Sequence, residues 1–447
     1  MRSLVLKALA ALAIVAGATI LAAQPAHAAA GFTVSGTRIL DANGNAFVMR
    51  GINHAHNWYA SQTSSFANIK ATGANTVRVV LSSGNRWTRN DAADVTNVIN
   101  QCKTNRLVCV LEVHDTTGYG EEGAAATLAQ AVDYWISIKS ALAGQERYVI
   151  LNIGNEPYGN TNASGWVADT RNAITRLRSN GFEHSIMVDA PNWGQDWQFI
   201  MRDNAASLFA ADPQKNTIFS IHMYGVFDTA AEITDYLGRF QTANLPIVVG
   251  EFGNDHSDGN PDEDTIMATA QSRGIGYIGW SWSGNGSGVE YLDMTTNFNP
   301  SQLTTWGQRF INGANGIKAT SREASIYSGT NAPSAPPSNP PSNPPSTPPT
   351  GGACSASMSV NAWNGGFVAT VKVTAGGSAL TGWSVAAALP SGTAVSNTWN
   401  AQASGTSGSV RFTNASHNGQ VNAGGTAEFG FQGTGAAPGN TLSCTVS

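Results

Sequence analysis

Charge is what this chain has least of. Asp, Glu, Lys and Arg together make up 12% of its 447 residues, about half the roughly 25% usual in soluble domains. The formal net charge is only −5, and no basic cluster occurs beyond the extreme N-terminus. Nucleic acids and acidic polymers are gripped by arrays of Lys and Arg, so both are excluded as partners. Cysteine is also scarce, with four residues, and none has the spacing of a zinc site. Beyond the N-terminal segment no apolar run approaches the length that spans a membrane. What is present instead is 12 Trp, flat apolar faces suited to a neutral polymer.

Residues 1–28 read as a secretory signal. Arg2 and Lys7 supply the positive start, residues 8–23 the apolar middle and Ala26-His27-Ala28 the small-residue cleavage site. The mature protein is therefore expected to be soluble, extracellular and monomeric. Four cysteines fit an oxidising compartment, and nearest pairing gives Cys102–Cys109 and Cys354–Cys444.

From residue 31 to 327, eight apolar strand candidates alternate with amphipathic helical stretches. The strands fall near 47–53, 75–81, 107–114, 148–155, 184–189, 217–224, 246–251 and 275–282, and helical patterns near 91–105, 124–142, 166–179, 229–243, 262–273 and 302–313. Eight such units in series predict an α/β fold, a parallel (β/α)8 barrel ringed by helices, over residues 29–328. Ahead of it, residues 32–40 and 46–49 flank an Asn43-Gly44 turn, a hairpin that would close the barrel floor. Side-chain alternation along 109–114 puts His114 and Glu112 on one face and Cys109 on the other, toward the helix bearing Cys102. Residues 329–352 are a Pro/Ser/Asn-rich tract, which reads as a stiff, extended linker. Residues 353–447 are short alternating runs broken by Gly, Asn and Ser, predicting a small antiparallel β-sandwich.

Two strand exits carry carboxylates. Ile150-Leu151-Asn152-Ile153-Gly154-Asn155-Glu156-Pro157 is an apolar run ending at a Glu and a Pro, and Pro157 is expected to bias Glu156 toward an extended backbone. Pro246-Ile247-Val248-Val249-Gly250-Glu251-Phe252-Gly253 repeats the design. In a parallel barrel the carboxyl ends of the strands are where chemistry is done. Two carboxyl groups about 5–5.5 Å apart there can cleave a glycosidic bond with retention.

These motifs, together with Gly51-Ile52-Asn53-His54-Ala55-His56-Asn57-Trp58-Tyr59, Asn75-Thr76-Val77-Arg78, Val113-His114-Asp115, Ile221-His222-Met223-Tyr224 and Gly279-Trp280-Ser281-Trp282-Ser283-Gly284-Asn285, make residues 31–327 resemble a family 5 glycoside hydrolase. The likeness is greatest to bacterial secreted endo-β-1,4-mannanases. It implies a retaining endo-glycosidase cutting mannan, glucomannan and galactomannan, with Glu156 as acid/base and Glu251 as nucleophile. It further implies that Arg78 keeps Glu251 charged, Tyr224 orients it and His222 bonds near the acid/base. Asn155 would take the sugar 2-hydroxyl and His114 would line a subsite. Trp280 or its neighbour Trp282 would floor the reacting sugar, with Trp58 as a further platform. An endo-β-1,4-glucanase on the same scaffold, or a non-catalytic polysaccharide-binding protein, are the competing readings. No cofactor is implied. Asp262, Glu263 and Asp264 cap a predicted helix, and clustered carboxylates also suit a structural Ca²⁺.

The C-terminal segment resembles a family 2 carbohydrate-binding module. Trp363 and Trp399 match two positions of a cellulose-binding aromatic face. His417 stands where relatives usually carry Trp, and Trp383 reads as core. Mannan, with cellulose or another insoluble polymer through this module, is the implied partner.

Overall fold

A computed structural model describes residues 31–327 except 287, and residues 354–446 except 364, 416, 417, 440 and 441; of 361–363 it describes the backbone. The expected signal segment, the linker and His417 lie outside the described residues. The chain divides into two compact units, residues 1–337 and 338–447.

The first unit opens with three short antiparallel strands, β1 (Thr33–Ser35), β2 (Arg38–Leu40) and β3 (Ala46–Phe47). Asp41 Oδ1 accepts the backbone N–H groups of Asn43 and Asn45, the Asx turn that a β2–β3 hairpin at Asn-Gly requires. Its apolar side chains Phe32, Ile39, Phe47 and Met49 form one buried cluster with Val108, Val110, Ile150, Met187, Ile218, Val248 and Ile278. The hairpin thus closes the floor of the barrel.

The barrel itself is β4 (Arg50–His54), β5 (Thr76–Leu81), β6 (Val108–Val113), β7 (Val149–Asn152), β8 (Ile186–Asp189), β9 (Thr217–Met223), β10 (Ile247–Phe252) and β11 (Gly276–Gly279). All eight close in the order β10-β11-β4-β5-β6-β7-β8-β9, each pair parallel. Alternation sorts the two faces. On β6, Cys109, Leu111 and Val113 join the outer core under the helices, while Val108 and Val110 join the floor cluster. Above that apolar floor the inward positions turn polar: Asn53, Arg78, Glu112, Asn152, Asp189, His222 and Glu251 are all nearly or fully buried. The β9–β10 register shifts between Val249 and Glu251, a bulge that re-aims the side chain following it. Gly250 is required there because a Cβ would collide with Ser220 Oγ.

Helices Ser64–Ala71 and Ile200–Ala211 were not among the amphipathic stretches read from sequence. The expected strand 275–282 ends at Gly279, and 148–155 at Asn152. Among the described residues no helix is long and apolar enough to cross a membrane.

One cysteine expectation is corrected. Cys102 and Cys109 face each other fully buried, but they are free thiols with Sγ atoms 2.7 Å apart, beyond the roughly 2.05 Å of a disulfide. Cys354 and Cys444 are bonded.

The second unit is β12 (Cys354–Trp363), β13 (Gly366–Ala375), β14 (Trp383–Ala388), β15 (Ala394–Trp399), β16 (Ala401–Ala403), β17 (Ser409–Asn414), β18 (Thr426–Thr434) and β19 (Leu442–Val446). They form two antiparallel four-stranded sheets, β12-β13-β18-β15 and β16-β17-β14-β19. Phe367, Trp383, Phe412, Phe429 and Phe431 fill the space between them. Trp383 stacks on Phe429 with centroids 5.2 Å apart, and so is core.

The Cys354–Cys444 bond closes a loop of 90 residues, stabilising its unit by roughly 4–5 kcal/mol in the chain-entropy picture. Excess dithiothreitol should therefore lower the sandwich's melting transition and leave the barrel's unchanged. A drop in the barrel transition would reveal a Cys102–Cys109 bond.

Candidate active site

Arg78 stands at the centre of the polar layer, completely buried. A guanidinium has five N–H donors and no acceptor, and here five bonds use them. Nε donates to Asn152 Oδ1 at 2.8 Å, and Nη1 to Asn53 Oδ1 at 3.0 Å and Glu251 Oε1 at 2.6 Å. Nη2 donates to Asn155 Oδ1 at 2.7 Å and Asp189 Oδ2 at 2.9 Å. The acceptors come from β4, β7 and its following loop, β8 and β10, so one side chain ties four sectors of the barrel together. Burial works against its charge, but Asp189, Glu112 and Glu251 more than compensate and raise its pKa.

Glu251 leaves the β10 bulge with Oε1 on Arg78 and Oε2 accepting the Tyr224 hydroxyl at 3.0 Å. Burial, with Glu156 adding to it, holds the Glu251 carboxyl above its ordinary value against the downward pull of His222 and Arg78. Tyr224 is raised well above its ordinary value by burial and then by Glu251, so it stays a donor.

Glu156 sits across from it. His222 Nδ1 lies 2.8 Å from Glu156 Oε1 and 3.5 Å from Glu251 Oε2, and its Nε2 faces Asp189 Oδ2 at 3.3 Å. One carboxylate oxygen from each Glu and a ring nitrogen of His222 all lie within 4.8 Å of one another. Burial opposes the His222 charge, but Glu251 and Asp189 outweigh it and raise the imidazole to about 10. Asp189, despite its burial, is held well below the usual carboxylate range by His222 and Arg78.

The expected extended backbone at Glu156 is not observed. Its φ is +40°, in the left-handed region that costs a non-Gly residue of order 1–3 kcal/mol. Surrounding bonds override the Pro157 preference. The Glu156 carbonyl accepts Gly118 N–H at 3.2 Å, its N–H reaches Asp189 Oδ2 at 3.4 Å, and Asn155 N–H donates to the Val113 carbonyl at 2.8 Å.

Aromatic side chains line the neighbouring rim. Trp280 stacks on His114 at 5.7 Å and 21°, its indole N–H fixed on Asn285 Oδ1. Trp58, 40% exposed, meets His114 and Trp87 edge-on. His114 Nδ1 bonds Glu112 Oε1 at 2.9 Å; burial opposes its charge, yet Glu112 raises its pKa. Trp282, expected as an alternative sugar floor, is fully buried in the outer core. Strand alternation does not extend to Trp280 and Trp282, because β11 stops at Gly279. Asn155 is engaged at both ends, with Nδ2 donating to Thr117 Oγ1 at 2.9 Å.

The acids at 262–264 do not converge. Asp262 caps its helix through Thr265 N–H, and Asp264 pairs with Arg309. Among the described residues the one group of three metal-ligating side chains is Glu156, His222 and Glu251. In the sandwich, Trp399 is 37% exposed with Gly430 beneath its ring, while the Trp363 side chain lies outside the described atoms. Sequence reasoning missed Asp189, Asn53 and Asn152 as partners of Arg78. Asp189 carried a signal, since Ile186-Met187-Val188-Asp189 is also an apolar run with a carboxylate at its exit.

Residues 40–286 match the model of cellulase (glycosyl hydrolase family 5), and residues 354–447 match that of the cellulose binding domain. A mannan endo-1,4-beta-mannosidase of Streptomyces lividans is 63% identical over 303 residues, 68% of this chain and 79% of the relative. One from Cellvibrio japonicus is 54% identical over 326 residues, 72% and 76% of the two chains. The solved beta-mannanase of Thermomonospora fusca superposes with a TM-score of 0.66 at 60% identity, over 66% of this chain and 99% of that one.

The His222 pKa is raised from 6.5 to about 10. The stability its charge lends is therefore complete below pH 6.5 and lost as the pH climbs through 10. The urea-unfolding gap between wild type and His222→Gln should be flat in acid and shrink between pH 6.5 and 10. A gap constant to pH 10 would show that the imidazole is not charged in the fold.

Proposed function

The chain belongs to glycosyl hydrolase family 5, and on that premise we propose that it is a retaining endo-β-1,4-mannanase. The observation that carries this is the approach of the Glu156 and Glu251 carboxylates to within 4.8 Å across the mouth of one barrel. That approach fits the roughly 5–5.5 Å of double displacement. Relatives 63% and 54% identical that carry the mannosidase name support mannan over cellulose.

In this reading Glu156 protonates the leaving oxygen while Glu251 attacks the anomeric carbon, giving a glycosyl-enzyme. Glu156 then takes a proton from water as the water displaces Glu251. Arg78 and the Tyr224 hydroxyl hold the nucleophile ionised and aimed. His222, with Glu156 on one nitrogen and Asp189 facing the other, orients the acid/base. Asn155 retains one amide N–H for the sugar 2-hydroxyl. The Trp280–His114 stack forms the floor of the reacting sugar, and Trp58 extends it. The N-terminal segment directs secretion. The C-terminal module, with the exposed Trp399 face, holds the enzyme on an insoluble polymer such as cellulose.

Reducing ends should be released from locust bean gum and not from carboxymethylcellulose, and Glu251→Ala should lower the rate at least ten-thousandfold. Release from carboxymethylcellulose instead would make this a glucanase. Release from neither would leave a binding protein.

A further inference from the structure

Arg78 fixes one oxygen of Glu251 with a rigid fork, but the other oxygen depends on a phenol. Tyr224 lies one residue past the end of β9 at Met223, so no strand ladder sets its ring. Its hydroxyl bond to Glu251 Oε2 pins the far end and leaves the tilt of the ring open. A second contact comes from His256, whose ring stacks on the phenol with centroids 4.4 Å apart and planes 30° apart. His256 belongs to the loop after β10, the strand that also delivers Glu251.

The His256 ring is itself held. Nδ1 bonds Asp258 Oδ1 at 2.5 Å, and the backbone N–H of His256 donates to Asp255 Oδ1 at 2.8 Å. Burial opposes the His256 charge, yet Asp258 raises its pKa, so the ring nitrogen donates and the carboxylate accepts. Asp258 in turn ties three loops together. Its Oδ1 accepts Gly225 N–H at 3.1 Å, from the loop after β9. Its Oδ2 accepts Gln195 Nε2 at 2.7 Å, from the loop after β8 that carries Trp193 and Trp197. Gln195 Oε1 closes the circuit by accepting Val226 N–H at 3.1 Å.

The close approach of these loops is built into the backbone. A Cβ at Gly225 would stand 2.5 Å from Asp258 Oδ1, and one at Gly259 3.2 Å from Gly225 Cα. Two glycines therefore let the loop after β10 lie directly against the loop after β9, beside Tyr224. An ordinary surface pair of His and Asp needs no such support.

We propose that His256, locked by Asp258, is a positioning residue for the nucleophile, clamping the Tyr224 ring so that its hydroxyl stays on Glu251 Oε2. This rests on Glu251 being the nucleophile of the mannanase reading. Glu251 gives up its charge as the glycosyl bond forms and regains it as water displaces the sugar. A fixed donor on Oε2 therefore counts in both steps.

The test is a double-mutant cycle in the full chain, with mannotetraose as substrate. His256→Ala should lower kcat about tenfold, the scale of one aromatic contact, with KM within about twofold of wild type. Tyr224→Phe should lower kcat about a hundredfold. The double variant should match Tyr224→Phe to within about twofold, because without the hydroxyl His256 has nothing to aim. His256→Phe, which keeps a ring in the stack, should recover to within about threefold of wild type. Losses that multiply in the double variant overturn the proposal. So does a loss confined to KM, or a His256→Ala kcat within about twofold of wild type. An inactive wild type would overturn the mannanase reading and the proposal with it, whereas those results in an active enzyme overturn the proposal alone.

Discussion

Everything at the mouth of this barrel depends on a buried cation that has no solvent to fall back on. Arg78 is sealed by an apolar floor below and by its own partners above, and its five donors meet five oxygens. A buried ion pair by itself is weak evidence for stability, because desolvation can exceed the attraction. Here the arrangement makes sense as preorganisation. The guanidinium fixes Glu251, Asp189 and Asn155 at once, so that three groups on three sectors keep their geometry without reorganising during the reaction. Lys could not do this, since an ammonium lacks the planar fork.

The rest of the fold serves that layer. The N-terminal hairpin supplies Phe32, Phe47 and Met49 to keep water out from below. The β10 bulge aims Glu251, and the left-handed turn at Glu156 aims the opposing carboxylate. His222 then stands between them with Asp189 behind it, a second buried cation neutralising a crowd of acids. Backbone strain and buried charge, each unfavourable alone, are concentrated where the two carboxylates meet.

Much of this was legible in the residues because barrel strands advertise themselves: short apolar runs buried on both faces, each stopping at a polar residue that looks into the mouth. That pattern located Glu156 and Glu251, while Arg78 and His222 were implied by the resemblance to family 5. What it could not convey was conformation decided by distant partners. Pro157 argues for an extended Glu156, yet Gly118, Asp189 and Val113 impose a left-handed turn. Trp280 and Trp282 are indistinguishable by alternation, and only the early end of β11 separates rim from core. The helix Ser64–Ala71 is short, with little apolar periodicity to betray it. The loop with Trp193 and Trp197 follows an Ala-Pro and carries no period at all, so its order rests on Asp196.

Arg78 keeps Glu251 ionised against the pull of burial. The most direct measurement is the acid limb of kcat/KM against pH on a mannan oligosaccharide, for wild type and Arg78→Lys. Replacing the fork by a single ammonium should move that limb upward by about one pH unit and lower the maximum about a hundredfold. An acid limb left in place, with a rate within a few-fold of wild type, would show that the nucleophile holds its charge without Arg78.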